Sequence, residues 1–238
     1  MMADTHLNSS TSWLPYMTKT NNYNNWIFEQ YKGYIGKRIV DIGSGYGTFL
    51  DYIKDRDLVF SVDPSKESYD QLKQDYASFH NIVLIHEDFN NGAVLDRLRD
   101  EKIDTFICLN VLEHIEDDEL TLKNIHKCLV KGGRLILYVP ALSMIYGTLD
   151  ISLGHFRRYN KKELESKINA LGFKIIKSRY VNFLGAFSWF LYSKVLKKSM
   201  PAEKRILFYD KYLVPVVSFI EGVISLPFGQ SLMIICEK

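Results

Sequence analysis

The chain reads as an α/β protein built on a doubly wound, largely parallel sheet. Three observations predict this. Short apolar runs with the character of buried strands recur near Arg38–Ile42, Leu58–Asp63, Asn81–His86, Ile103–Asn110 and Arg134–Pro140. Helical patterns lie between them, and that alternation implies right-handed crossovers and parallel strands. The residues best suited to hold a ligand, Gly43, Asp63, Asp88 and Asn110, all fall at the carboxyl ends of these runs, where such sheets bind ligands.

The first strand enters Gly43-Ser44-Gly45-Tyr46-Gly47, a turn with glycine at every second position. Glycine there lets the backbone turn tightly and approach a ligand without a Cβ in the way. A helix is expected from near Tyr46, with its free N–H groups aimed at the turn. The dinucleotide fingerprint G-x-G-x-x-G would need glycine where Thr48 stands, which disfavours a nicotinamide oxidoreductase. The pattern is instead D-x-G-x-G-x-G, with Asp41 two positions before Gly43. The second strand ends on Asp63, 20 residues after Gly43, placed to accept hydrogen bonds from both hydroxyls of a ribose.

Strand, glycine turn, second strand and acid in this register resemble the class I S-adenosylmethionine-dependent methyltransferases, and the resemblance runs from about Tyr23 to the C-terminus. It implies a Rossmann-like seven-stranded sheet of order 3-2-1-4-5-7-6, the last strand antiparallel, with S-adenosylmethionine as cofactor. Asp41, Gly43, Ser44, Gly45 and Gly47 would hold the methionine part, and Asp63-Pro64 the ribose. After the third strand, Asp88 would accept from the adenine amino group, with Phe89 against the ring. In Asn110-Val111-Leu112-Glu113-His114, which resembles the family's N-x-L-E-H segment, Asn110 and Leu112 would pass over the sulfonium and His114 would abut the acceptor. The helical pattern over 21–31 gives a lid with Tyr23 and Trp26 as cofactor contacts, or simply a helix packed on the sheet.

The fourth-strand segment is not Asp/Asn-Pro-Pro-Tyr/Phe, the signature of enzymes that methylate adenine or glutamine nitrogens. Nor does it offer the paired acids with which catechol-type enzymes hold magnesium. The acids from Glu113 to Glu119 read as the favoured first turn of a helix over Asp117–Leu129, so no metal is expected.

The loop Met144–Tyr159 should overhang the acceptor, and it resembles the Y-G-x-x-D…G-H-x-R-R-Y loop of small bacterial methyltransferases linked with cell-surface glycans and secondary metabolites. His155 is the candidate general base, taking a hydroxyl proton as the methyl arrives. Tyr146, Arg157 and Arg158 are candidate acceptor contacts, the arginines as clamps for a carboxylate or phosphate. Structural ion pairs that tie the loop down are the competing role for the same side chains. Asn160 is expected to cap the next helix, with Glu163 as its return partner.

A sixth strand is expected at Phe173–Val181 and a seventh at Ser231–Cys236, leaving 182–229 as a helical insertion, aromatic and basic. Pro201 would start a second helix there and Pro215 interrupt it. The insertion fits a cap over the acceptor, a homodimer face, or a seat on a membrane surface with lysines toward anionic headgroups.

With 47 % apolar residues and a net charge of +2, the chain is globular and not polycationic, so a nucleic-acid partner is not expected. Cys108, Cys128 and Cys236 are scattered in apolar contexts, as thiols are in a reducing compartment. Residues 1–20 read as a flexible arm without the apolar core of a secretory signal, and 21–238 as the methyltransferase domain. No uncharged run is long enough for a transmembrane helix. A cytoplasmic location is expected, with peripheral contact to a membrane as one option. The function expected is methyl transfer to a small-molecule, glycan or lipid-linked acceptor, with oxygen favoured as the methylated atom. The alternative is a non-catalytic cofactor-binding or scaffolding protein that keeps the fold.

Overall fold

The computed structural model of the chain describes residues 17–198 and 202–238, so most of the expected arm, and Pro201, lie outside the described residues. Strands β1 (Arg38–Ile42), β2 (Leu58–Val62), β3 (Ile82–Ile85), β4 (Ile103–Leu109), β5 (Leu129–Pro140), β6 (Lys174–Val181) and β7 (Ser231–Glu237) form one sheet. Its order is β3-β2-β1-β4-β5-β7-β6, as expected. The first five strands are parallel, and β7 runs antiparallel to both β5 and β6.

Successive strand residues feed two opposite cores. Val40, Phe106 and Leu135 enter one; Ile39, Ile107 and Ile136 enter the other. The first core is closed by α3 (Gly92–Leu98), α4 (Asp118–Cys128) and α6 (Lys161–Ala170) through Leu98, Leu122, Ile125, Leu164 and Ile168. The second is closed by α1 (Asn21–Tyr31), α2 (Lys66–Asp75) and α9 (Val214–Val223) through Ile27, Tyr31, Leu72, Val214 and Val217. Ser65 caps α2 by accepting from Ser68 N, and Asp117 caps α4 by accepting from Leu120 N.

Three local expectations are corrected. No α-helix follows the glycine turn: turns lead into a 3-10 helix at Leu50–Tyr52. Gly43, Gly45 and Gly47 all take positive φ, at +67°, +52° and +76°, so right-handed helix has no start before Thr48. The anion-binding helix terminus expected at this corner is therefore not there. β5 begins at Leu129, ahead of Gly132-Gly133, and its pairing with β4 is irregular between Ile103 and Thr105, where the left-handed Gly132 (φ +78°) absorbs the kink. Asn160 does not cap α6 through its side chain: Oδ1 accepts from Ser143 N, while Nδ2 donates to Ser143 Oγ and Glu163 Oε2.

The insertion folds as α7 (Phe183–Phe190), extended by a π-helical turn to Val195, and a second run of α8 (Glu203–Phe208), a π-helical turn (Tyr209–Leu213) and α9. Pro215 in the first turn of α9 lacks the N–H that would continue the ladder, which accounts for the wider turn before it. The insertion also completes α1. Thr20 gives that helix no side-chain cap; Asp210 instead accepts from Tyr23 N (2.8 Å) and Asn22 N (3.3 Å).

Candidate active site

The cofactor corner is made mostly of backbone. Gly43 N donates to Val62 O at 2.7 Å, fixing the turn to the end of β2. A Cβ on Gly43 would lie 2.3 Å from Val111 Cγ2, and one on Gly47 2.7 Å from Leu72 Cδ2, so both positions exclude side chains sterically as well as by φ. Ser44 and Ser61 share a buried hydroxyl hydrogen bond of 2.6 Å. Asp63 accepts from Gly45 N and Ser65 N, each at 2.8 Å, which aims its carboxylate across the glycine turn. An ionised carboxylate offers about four acceptor sites, so capacity for sugar hydroxyls remains. Burial raises the Asp63 pKa, and the two backbone donors work against that rise. Asp41, 4 % exposed, is pushed up to about 8 by burial and then by the nearby Asp63.

Around this corner the expected contacts separate. Pro64 O faces His86 Nε2 at 3.1 Å, and the His86 ring stacks on Tyr69; sequence reading missed both rings. Asp88 is exposed, with Oδ1 accepting from Asn90 N of its own turn at 2.7 Å. Phe89 is corrected: it is 3 % exposed and packs edge-on against Phe106, so its ring belongs to the core and not to an adenine slot. Leu112 is corrected likewise, its side chain being fully buried. Asn110 is exposed at φ +54°, with its N–H held by Tyr138 O at 2.7 Å. The lid is also corrected. Tyr23 OH bonds Tyr138 OH at 2.7 Å, and Trp26 is buried in the core that α1 closes.

The acceptor loop is organised by one carboxylate. Asp150, in the short helix α5 (Thr148–Ser152), has no exposed side-chain surface. Its Oδ1 accepts from Arg158 Nε (2.8 Å) and faces His155 Nδ1 (3.0 Å); its Oδ2 accepts from Gly147 N and Trp189 Nε1, both at 3.0 Å. Burial opposes its charge, but the bonds from His155, Arg158 and Trp189 together hold its pKa below the ordinary value. Arg158 is buried, with Nη1 donating to Ala141 O at 2.5 Å and its guanidinium over the Trp189 ring at 4.6 Å. Arg157 donates to Glu116 O and pairs with Asp118 at 3.3 Å. The expectation that these arginines clamp the acceptor is corrected: both are committed to tying the loop down. Tyr146 serves the same end, its OH donating to His155 O at 2.7 Å.

Since ionised Asp150 only accepts, Nδ1 of His155 is the donor to it, and in the neutral form of the ring Nε2 carries the lone pair. That Nε2 lies 4.0 Å from Oε1 of Glu113, whose other oxygen is buried without a partner. Burial pushes the Glu113 carboxyl up to about 7, with His155 and Arg158 pulling the other way. His114 meets the His155 ring edge-on at 4.8 Å and is pushed down to about 4 by burial and then by His155. The ligating atoms of Glu113, His114 and His155 lie within 4.8 Å of one another. Neighbouring ligands of one tetrahedral ion with bonds of about 2.1 Å sit roughly 3.4 Å apart, so the trio matches proton exchange better than an ion cage. Glu113 and Trp189 are the functional neighbours that sequence reading missed. Trp189 gave no local signal, being 39 residues from Asp150.

Comparison with known proteins agrees with this geometry. Residues 40–137, from the middle of β1 through most of β5, match the family described as "Methyltransferase domain". A mitochondrial ubiquinone biosynthesis O-methyltransferase of Schizosaccharomyces pombe is 27 % identical over 149 residues, covering 62 % of this chain and 51 % of the relative. A tRNA U34 carboxymethyltransferase of a Sulfurovum species is 33 % identical over 128 residues, covering 53 % of this chain and 40 % of that protein. The chain thus spans about half the length, or less, of these curated relatives. With a tRNA-named protein among them, the expected exclusion of nucleic acid is withdrawn. A Thermotoga maritima structure described as an S-adenosylmethionine-dependent methyltransferase, possibly of histamine nitrogen, superposes with a TM-score of 0.63 at 17 % identity, covering 98 % of this chain and 96 % of that one. S-adenosylmethionine is the cofactor that the glycine corner and Asp63 fit. Strand order, glycine corner and the methyltransferase-domain match over residues 40–137 make the chain similar to the class I S-adenosylmethionine-dependent methyltransferases.

Proposed function

We propose that this chain transfers a methyl group from S-adenosylmethionine to an acceptor hydroxyl on a small molecule, a glycan or a lipid-linked intermediate. The observation that carries the choice of oxygen is the Asp150–His155 pair: a buried, ionised carboxylate holds Nδ1 at 3.0 Å and leaves Nε2 as the base. An alcohol must lose its proton as the methyl arrives, whereas a neutral amine attacks without prior loss. The curated relative named for O-methylation supports the same reading.

The cofactor supplies an electrophilic methyl on a sulfonium. The chain's own residues do the rest. Asp63 orients the sugar, the glycine corner lets the backbone close on the methionine part, and Asp150 keeps His155 in the tautomer that accepts a proton. Glu113, near neutrality by its burial, lies beside Nε2 as the next group along a proton's way out. Alignment of this kind supplies on the order of 7–11 kcal/mol, and the base a further factor of about 10²–10⁴.

The test uses methyl-labelled S-adenosylmethionine with soluble, lipid and RNA fractions of source-cell extract. Once a fraction accepts label, His155→Gln should lower turnover by roughly 10²–10⁴-fold and leave cofactor affinity by calorimetry unchanged. Asp63→Ala should do the reverse, weakening the cofactor by on the order of tenfold or more. Full turnover in His155→Gln would remove the hydroxyl reading, and label appearing only in RNA would move the acceptor to nucleic acid.

A further inference from the structure

The insertion keeps large apolar side chains in water on its outer face. In the α8–α9 run, Phe208, Tyr212, Val216, Phe219 and Val223 follow one another in steps of four, four, three and four, so they form one stripe, and each is more than half exposed. The opposite side of α9 carries Val214 and Val217, which are buried in the core. The outward stripe is therefore a second apolar face. The neighbouring α7 adds Phe187, Phe190 and Leu191, exposed by 58 %, 45 % and 48 %. Two ring contacts link this segment to the second run and the loop after it: Arg205 meets the Tyr192 ring, and Phe187 meets Phe228, five residues beyond the end of α9.

Charge says what this face suits. The insertion carries six Lys and Arg against three Asp and Glu, a net +3 within a chain whose whole charge is +2. All three acids are engaged: Glu203 with Lys19, Asp210 with the start of α1, and Glu221 with Phe183 N and Arg179. Four of the six cations gather at one end of the layer, while Lys211 lies over the Tyr212 ring within the stripe and Arg205 over Tyr192. Lys194, Lys197 and Lys198 follow the apolar part of α7, and Lys204 precedes the stripe of the second run; all four are exposed. Apolar side chains beside a lysine rim are the composition of a segment that lies in a membrane interface. Among the described residues no helix is long and apolar enough to cross a membrane.

We propose that the outer face of the insertion seats the protein on an anionic bilayer surface, with Phe219, Val223 and Phe187 entering the acyl boundary and the lysine rim meeting acidic headgroups. The face is coupled to the acceptor loop. Thr148 Oγ1 donates to Ser193 O and Lys198 O at 3.1 and 2.9 Å, and Trp189 bonds Asp150. A protein seated this way holds its acceptor loop at the membrane, where an acceptor with a lipid tail presents its polar head. The seating itself does not depend on methyl transfer.

Co-sedimentation of the full chain with vesicles tests it, without cofactor or acceptor. Vesicles of phosphatidylcholine with about a third phosphatidylglycerol should bind the protein, pure phosphatidylcholine much less, and added salt should weaken binding. Phe219→Glu with Val223→Glu should weaken binding by on the order of tenfold or more while S-adenosylmethionine affinity by calorimetry stays unchanged, which shows an intact fold. Lys197→Glu with Lys198→Glu should weaken it by on the order of tenfold and flatten its salt dependence. No binding to anionic vesicles, or binding that Phe219→Glu with Val223→Glu leaves unchanged, overturns the proposal. So does a stable dimer that hides the stripe and is split by the same pair of substitutions without any vesicle effect.

Discussion

The cofactor corner and the acceptor loop lie at the same end of the sheet but are held by different means. At the corner, Gly43, Gly45 and Gly47 do their work through φ and through missing side chains, and the Asp63 carboxylate is oriented by backbone N–H groups. The loop depends on side chains: Asp150 gathers Arg158, His155 and Trp189, drawn from its own segment and from a helix 39 residues on. A corner of that kind stays open to a ligand because little fills it. A loop of the other kind is rigid because a buried charge and its partners leave no alternative arrangement.

The largest expected effect breaks the loop. Asp150→Ala removes the only carboxylate bonded to the buried Arg158 among the described residues and leaves that guanidinium among Ala141 O and the Trp189 ring. Breaking a buried pair from one side costs about 3–5 kcal/mol, read as a lower urea midpoint. Asp150→Asn, which keeps the size and two of the acceptor bonds, should lose less. A loss below about 1 kcal/mol in Asp150→Ala would mean that the loop is held by its backbone after all, as the corner is.

That contrast also explains what was legible in the sequence. The corner was readable because its parts lie at fixed short spacings: Asp41, the three glycines, and Asp63 at the end of the next strand. The sheet order was implied by the same resemblance. What failed at the corner was the helix after Gly47, since the three positive φ values that open the site also prevent helix from starting there. In the loop, His155 and the arginines were visible, but their roles were not. Whether Arg158 faces an acceptor or the interior is decided by Trp189 and by the carbonyls of Ala141 and Gln230, none adjacent in sequence. Phe89 was misplaced for a related reason: an aromatic after a strand end suits a ligand slot and a core equally, and Phe106 on β4 settles it for the core.

A smaller effect probes the corner. Gly43→Ala puts a Cβ at φ +67° and 2.3 Å from Val111 Cγ2. Left-handed backbone costs about 1–2 kcal/mol and the overlap about 1–3 kcal/mol, so a combined loss of roughly 2–5 kcal/mol is expected, with weaker cofactor binding. Adding Val111→Ala relieves the overlap but not the φ. If the double variant recovers about half of the lost stability, the corner excludes side chains for both reasons; full recovery would make Val111 alone responsible.

The most gradual effect, small over any one pH unit, and the one that sets the two regions side by side, is the titration of their buried acids. Asp41 and Glu113 are both raised by burial, to about 8 and about 7, so the folded chain holds protons that the unfolded chain has released above its ordinary carboxylate range. The native state then binds more protons than the unfolded one, and stability falls as pH rises. Their contribution is full below about pH 4 and is lost through pH 7 for Glu113 and through pH 8 for Asp41. Each acid contributes a slope of at most about 1.4 kcal/mol per pH unit. Thermal melts of the cofactor-free protein should show the decline, and Glu113→Gln should flatten it up to about pH 7 only. Asp41→Asn should also remove what persists between pH 7 and 8, because in that interval the glycine corner alone still holds an excess proton. A decline that outlasts both substitutions would point to the other acids that burial raises, Asp63 at the corner and Glu221 in the insertion.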